Sequence, residues 1–417
     1  MIRKSNVLGP TGEQERLPLL DVLRGASILG ILLNNMGAFS GPSRELGFVA
    51  LSSTAMDRVG AALVLFFVNG KSYLLFALLF GLGFEMQLTR ATARGASILP
   101  SYSRRVLLLF VIGVGHAVFL WEGDILAMYA TLGCGLLLIR TWPPRAILAA
   151  ALVLFLLSPV TEWISVKQSF GDLATGSTKE ASAELSETPA ERAQAIYGYG
   201  DYIDVVAYRL KKLPSYAEHL WLNQALSGFA VFVFGLYVGR RRLIEGIAKQ
   251  AALWRGRMPW ILAAALVANS IYVVAFTQGR VRSEILFLTL GGPLFCFVYI
   301  IGLGLLVGEP RWRARLAPLA AVGRLSLTNY LMQSVVCTTL FYGYGFGLYG
   351  RLGTTATLLI AFAIFTMQMF VSSWWLKYFR LGPLEWFLRS FIYYQWQAFR
   401  RAAPAASRGS ESGGLRR

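Results

Sequence analysis

Apolar runs long enough for a helix to cross the ~30 Å hydrocarbon core of a bilayer recur from one end of this chain to the other. In lipid each run must satisfy its own backbone hydrogen bonds, and the α-helix does so within a single segment. Composition agrees, with 55% hydrophobic residues, 15% charged residues and a mean hydropathy of +0.53. Soluble domains carry about 25% charge. The chain therefore reads as all-α: a polytopic transmembrane helix bundle with no soluble domain large enough to stand alone.

The runs divide into ten spans, at 19–40, 58–88, 105–122, 124–140, 145–166, 219–239, 258–278, 284–308, 318–345 and 354–378. The net charge of +18 is distributed unevenly among the loops between them. With the N-terminus in the cytoplasm, the inner loops hold Arg90, Arg94, Arg104, Arg105, Arg140, Arg145, Arg240, Arg241, Arg242 and Arg311 to Arg324. The short outer loops keep only Arg44, Arg58, Arg280, Arg282 and Arg351. This positive-inside alternation accounts for the basic charge without a nucleic-acid partner, and it puts both termini in the cytoplasm. Residues 1–400 read as one membrane domain, with an outer-side loop at 167–218 and a disordered Ser-, Gly- and Arg-rich tail at 401–417. Arg3, Lys4 and Arg16 precede the first span as in an uncleaved anchor. Cys134, Cys296 and Cys337 are scattered through the spans and read as packing residues.

Two regions depart from plain spans. Residues 58–88 would make a helix of roughly 46 Å, too long for the membrane, and Asn69-Gly70-Lys71 is its natural break. The second half of the run of spans offers no matching break. In the long loop, the acidic first half reads as flexible, and Ala190 to Leu213 reads as one amphipathic helix against the outer mouth.

Polar groups at membrane depth are the candidates for function, because each is costly there unless paired or wet. On the first span Asp21, Arg24 and Asn35 fall at about 0°, 300° and 320° around the helix, with Ile28 and Ile31 between them. They face protein or water, as a salt bridge with a satisfied amide or as part of an interior polar site. Lys71 lies near mid-depth, snorkelling or paired. His116 stands near the outer end of the third span, before the very tight turn Trp121-Glu122-Gly123-Asp124. An imidazole there moves protons in the physiological range, with Asp124 or Glu122 to orient it, or it simply bonds one helix to another. His219 opens the sixth span beside Trp221 as an interface residue. In the ninth span Ser326, Asn329 and Gln333 form a polar stripe flanked by Tyr330, which either glues helices or lines a pocket. No P-loop, dinucleotide fingerprint, GxSxG elbow or HExxH occurs.

These segments resemble the YeiB-like family of bacterial integral membrane proteins. The likeness runs through Leu20-Asp21-Val22-Leu23-Arg24-Gly25 with Asn34-Asn35, Gly70-Lys71-Ser72-Tyr73 to Gly83, and His116 to Ala130. It continues through Gly323 to Tyr330 with Gln333-Ser334, Phe341 to Gly345, and Gly382-Pro383-Leu384-Glu385-Trp386 with Arg389. The first helix is also similar to that of heparan-alpha-glucosaminide N-acetyltransferase, in its Asp, Arg-Gly and Asn at the spacing of Asp21, Arg24-Gly25 and Asn35. That resemblance implies a transmembrane acyltransferase working from cytoplasmic acyl-CoA to an acceptor beyond the membrane. Those enzymes carry a histidine shortly after the Asn, where this chain has Met36 to Pro42 with none. His116 must then take its place from another helix.

The expectations are these. His116, Asp124 and Asn35 are candidate catalytic groups, with Asn35, or Asn329 with Tyr330, stabilising the oxyanion. Asp21, Arg24, Lys71, Glu122, Ser326, Asn329, Tyr330 and Gln333 are candidate substrate contacts. Acyl-CoA is the co-substrate, its phosphates near Arg24, Arg104 and Arg105, with no metal. The partners are the lipid bilayer and a small-molecule or glycan acceptor, with self-association open, in a bacterial cytoplasmic membrane. The competing reading is an exporter of a small or amphipathic solute, with Lys71, Arg24, Asn35 and the ninth-span stripe along its path. A membrane sensor or non-catalytic partner is a third.

Overall fold

The computed structural model describes residues 16–42, 54–175, 188–277 and 291–401. The expected tail at 402–417, the acidic stretch 176–187 and the loop arginines Arg44, Arg280 and Arg282 lie outside the described residues, as do Arg3 and Lys4. Each of the ten spans is helical over most of its described residues, and the described residues contain no strand, only an isolated bridge between Phe379 and Arg400. Five stretches have the length and apolarity to cross a membrane: Pro18–Ser40, Ala55–Ala93, Leu99–Leu120, Ala251–Phe276 and Thr354–Tyr378. Leu126–Ile139, Pro144–Pro159, Leu226–Arg240 and Gly292–Gly308 are shorter apolar helices.

In chain order the first helices are α1 (Pro18–Ser40), α2 (Ala55–Phe67), α3 (Lys71–Ala93) and α4 (Leu99–Gly115), which runs into a π-turn at His116–Leu120. Then come α5 (Leu126–Ile139), α6 (Pro144–Thr175), α7 (Pro189–Tyr199), α8 (Tyr202–Leu220) and α9 (Leu226–Arg240). The remainder are α10 (Leu243–Lys249), α11 (Ala251–Thr277), α12 (Gly292–Gly308), α13 (Pro310–Arg315), α14 (Ala317–Arg324), α15 (Ser326–Phe341), α16 (Thr354–Tyr378) and α17 (Pro383–Tyr393).

Helix α1 is the axle of the bundle. It packs on α3, α12, α14, α15 and α16, and most of it is buried. Its approach to α14 is at backbone contact: a Cβ on Gly323 would sit 1.8 Å from the Asp21 carbonyl oxygen. Small residues at such crossings let helices gain dispersion contacts that lipid cannot replace. Gly323→Val must push α14 off α1, at a cost of about 1–3 kcal/mol or more. Thermal unfolding in detergent checks this, and an unchanged midpoint would refute the contact.

The second span divides where the sequence suggests. Gly70 takes φ 71° between α2 and α3. The Asn69 side chain donates to Asn34 Oδ1 (3.1 Å), and the Lys71 ammonium donates to the Leu65 carbonyl (2.8 Å). A second break was not expected. The span placed at 318–345 is interrupted at Leu325 and splits into α14 and α15. Its cause lies 58 residues downstream. Glu385 on α17 accepts from the backbone N–H groups of Leu327 (2.8 Å) and Thr328 (3.0 Å) and from the Thr328 hydroxyl (2.6 Å). A carboxylate from another helix thus caps the N-terminus of α15, whose own Leu325 offers no side-chain acceptor. Glu385→Ala leaves buried donors unpaired, at about 1–3 kcal/mol each. Scanning calorimetry of the detergent-solubilised variant reads the loss, and wild-type stability would count against the cap.

The outer-side segment also differs from expectation. The fifth helix continues past 166 to Thr175, and 190–213 is two helices, because Asp201 caps a new one after Gly200. Helix α8 packs over the α4–α5 hairpin, and α7 packs on the segment that follows α15, with the Gly343 N–H donating to the Tyr197 carbonyl (2.8 Å) and Gln194 donating to the Tyr349 carbonyl (3.1 Å). The Tyr202 hydroxyl donates to the Phe119 carbonyl (2.9 Å), and buried Arg209 pairs with Glu122 (3.2 Å). At the opposite end Arg240 binds both Glu85 oxygens (2.8 and 3.2 Å) and the Arg140 carbonyl (2.9 Å), tying α9 to α3 and to the end of α5.

Candidate functional site

The α4–α5 hairpin builds the centre of the site. The π-turn ends at Trp121, whose indole stacks on Phe39 (4.1 Å between centroids). After Trp121 the chain turns back at once, so Asp124 stands beside the helix it has just left. A Cβ on Gly113 would lie 2.4 Å from the Ala127 nitrogen and 2.7 Å from Asp124 Oδ2. Only glycine allows that closeness. Gly113→Val is therefore expected to part the hairpin and weaken the His116–Asp124 pair, visible as a changed His116 imidazole signal in NMR. An unchanged signal would refute this.

His116 is buried, 2% exposed. Its Nδ1 lies 2.9 Å from Asp124 Oδ1, and its Nε2 lies 2.8 Å from the Ser334 hydroxyl. Asp124 Oδ2 accepts from the Ala127 N–H (2.8 Å), which fixes the carboxylate at the start of α5. Three side chains from α4, the turn before α5, and α15 thus form one continuous chain: carboxylate, imidazole, hydroxyl. The Tyr330 ring stands 5.1 Å from the imidazole. Its hydroxyl lies near the Ile125 amide without closing a full hydrogen bond.

Below this centre opens a chamber of about 280 Å³. Its apolar lining includes Ile28, Ile31, Phe76, Leu109, Leu126 and Tyr129, and Tyr330 also lines it, whereas His116, Asp124 and Ser334 do not. Arg16, Arg24, Arg90, Arg105, Arg324 and Arg389 line it as well, with Asp21 and Glu385 as the acidic groups. Asp21 neutralises Arg24 at 3.1 Å, and Glu385 is engaged in capping α15. Burial, joined by the like charges of Arg16 and Arg24, pushes the Arg389 guanidinium down to about 10. So crowded a set of guanidinium groups makes the local potential positive and chemically suited to an anion.

The structure sorts the candidates read from the sequence. Asp21, Arg24, Ser326 and Tyr330 line the chamber. Asn35 does not, because on α1 the chamber closes after Ile31; its carboxamide faces Asn34 (3.5 Å). Asn329 donates to Ser372 (3.0 Å) and Gln333 to Gln368 (2.9 Å), which join α15 to α16 away from the chamber. Glu122 turns to Arg209. Lys71 sits at the α2–α3 break, near the Tyr272 ring. Arg105 reaches the chamber, whereas Arg104 stacks on Tyr394 at 4.2 Å. Of His219, only the backbone is described, within α8. Among the described residues no group of three or more metal-type side chains gathers. Sequence reasoning gave no role to Ser334, Arg90 or Arg389. Ser334 lies one turn beyond Tyr330, the spacing that puts two side chains on one helix face.

A family model described as a protein of unknown function, DUF418, matches residues 238–395, a region that contains Tyr330, Ser334, Glu385 and Arg389. The chain is 34% identical to the uncharacterized protein YxaH of Bacillus subtilis over 406 residues, 94% of this chain and 97% of that one. It is 29% identical to the uncharacterized protein YeiB of Escherichia coli over 410 residues, 95% of this chain and all of the other. An uncharacterized 39.9 kDa protein from the amylase 3' region of Bacillus acidopullulyticus is 28% identical, over 93% and 96% of the two chains. With likeness of this order over nearly the full length of both chains, the chain belongs to the YeiB-like family, marked by the DUF418 region.

Proposed function

We propose that this protein is a transmembrane acyltransferase, which takes an acyl group from a polyanionic thioester, acyl-CoA, and passes it to a hydroxyl or amine on the far side of the membrane. One observation carries the reading: a chamber lined by arginines and apolar side chains includes Tyr330, whose ring stands 5.1 Å from a buried imidazole held by a carboxylate. The arginines suit nucleotide and pyrophosphate charge, and the apolar lining suits a pantetheine arm and acyl chain. His116 is the base, Asp124 sets its tautomer and steadies the imidazolium, and the Tyr330 hydroxyl is a donor for the developing oxyanion. The basic end faces the cytoplasm by the positive-inside rule, in a bacterial cytoplasmic membrane, so donor and acceptor approach from opposite sides.

The test is release of CoA thiol from acetyl-CoA by the purified protein in detergent, with and without an acceptor-containing membrane extract. No thiol release above that of an empty-vector preparation would reject the reading. Transport of an amphipathic anion is the second reading. The two interrupted helices, at Gly70 and Leu325, favour it, because broken helices beside polar groups are a transporter device. Flux of labelled solute into proteoliposomes without loss of its acyl group would decide for it.

A further inference from the structure

Asp124, His116 and Ser334 stand in the order and at the distances of a nucleophilic triad: 2.9 Å from Asp124 Oδ1 to Nδ1 and 2.8 Å from Nε2 to the serine hydroxyl. Such triads are recognised by geometry and roles, whatever the fold or the chain order. Ser334 is 1% exposed and His116 is 2% exposed, so the pair is shielded from bulk water, as a reactive ester requires. The chamber is lined by Tyr330, one helical turn from Ser334. Trp121, stacked on Phe39, and α8, through Tyr202 and Arg209, pack against the same hairpin. A chamber of about 280 Å³ leaves little room for a CoA thioester and an acceptor together. An acyl group that must change sides then needs somewhere to wait.

We propose that Ser334 is that place: it is the nucleophile of a two-step transfer and carries the acyl group as a serine ester. This rests on the acyltransferase reading and adds the covalent step. In the first half, the Ser334 Oγ bonds to the thioester carbonyl carbon as its proton passes to His116 Nε2. The carbon–sulfur bond then breaks, and the leaving CoA thiolate takes that proton. In the second half, the acceptor hydroxyl or amine bonds to the same carbon and gives its proton to His116. The Ser334 oxygen–carbon bond breaks, and the serine recovers the proton. Asp124 stays ionised throughout, and no oxidant or metal enters the balance. The Tyr330 hydroxyl, next along the helix face and short of a full hydrogen bond, meets the oxyanion.

A fluorophosphonate probe tests the nucleophile without knowledge of the natural acyl group, and acetyl-CoA tests the ester. The full-length protein in detergent is treated with each, and the Ser334 peptide is read by mass spectrometry. The wild type is expected to take the phosphonate at Ser334, and to gain an acetyl group there that hydroxylamine removes. His116→Ala loses both adducts, and Ser334→Ala loses both. Ser334→Cys regains acetylation as a thioester, which shows that the position rather than a folding defect is responsible. Absence of phosphonate labelling at Ser334 in folded wild-type protein overturns the proposal. Thiol release that survives in Ser334→Ala also overturns it, while leaving direct transfer by His116 intact. Labelling by the phosphonate without any reaction with acetyl-CoA upholds the nucleophile and counts against acyl-CoA as donor.

Discussion

His116→Ala is expected to lower acyl transfer by about 10²–10⁴-fold, the range a positioned general base contributes. The fold should persist, because the imidazole fills a small space between α4 and α15 and most of the surrounding core is untouched. Asp124→Asn should cost as much or more, about 10⁴-fold, since an amide at 2.9 Å from Nδ1 favours the wrong tautomer. The pair also makes the assignment falsifiable. If both variants bind CoA as the wild type does yet fail to release thiol, the loss lies in the chemical step. If both retain full activity with a normal melting curve, the buried imidazole is only a link between helices, and the mechanism falls.

Arg105→Gln with Arg389→Gln is expected to raise the dissociation constant for CoA by about 10- to 100-fold per residue, since hydrogen bonds to charged groups contribute roughly 1.5–3 kcal/mol. Gln keeps much of each stem's packing while removing the charge. The geometry makes these two the sharpest choice. Arg24 is already answered by Asp21, whereas Arg389 faces the like charges of Arg16 and Arg24 across the chamber. Binding should also weaken as salt rises, and less steeply in the double variant. Calorimetric titration with CoA at two ionic strengths checks both statements. Equal affinity for wild type and variant would mean that the chamber is not the anion site.

How far the sequence foretold this site depends on how far apart in the chain the partners lie. The spans were legible because apolar runs are local. So was the break at Gly70, where a glycine marks it. So was the meeting of His116 and Asp124, eight positions apart around one tight turn. The break at Leu325 was not, because its cause is a carboxylate on a helix formed much later in the chain. Ser334 meets His116 across 218 positions, a pairing that no spacing rule reaches. The helical wheel put Asn35 with Asp21 and Arg24 correctly by angle, but angle says nothing of depth, and the chamber closes one turn before it. Arg90 and Arg324 were counted as loop charge and Arg389 as part of the family likeness, since topology and ligand binding ask for the same residues on the same side.

The cap that Glu385 places on α15 has a consequence for biosynthesis. The ribosome releases that carboxylate after α16 has been made, so α15 emerges with its leading amides uncovered. Until α17 arrives, the segment bearing Tyr330 and Ser334 lacks its anchor, and the Ser334 hydroxyl has no fixed height against the imidazole. A nascent chain stalled anywhere before Gly382 is thus expected to leave the His116–Ser334 contact unset until α17 has been made.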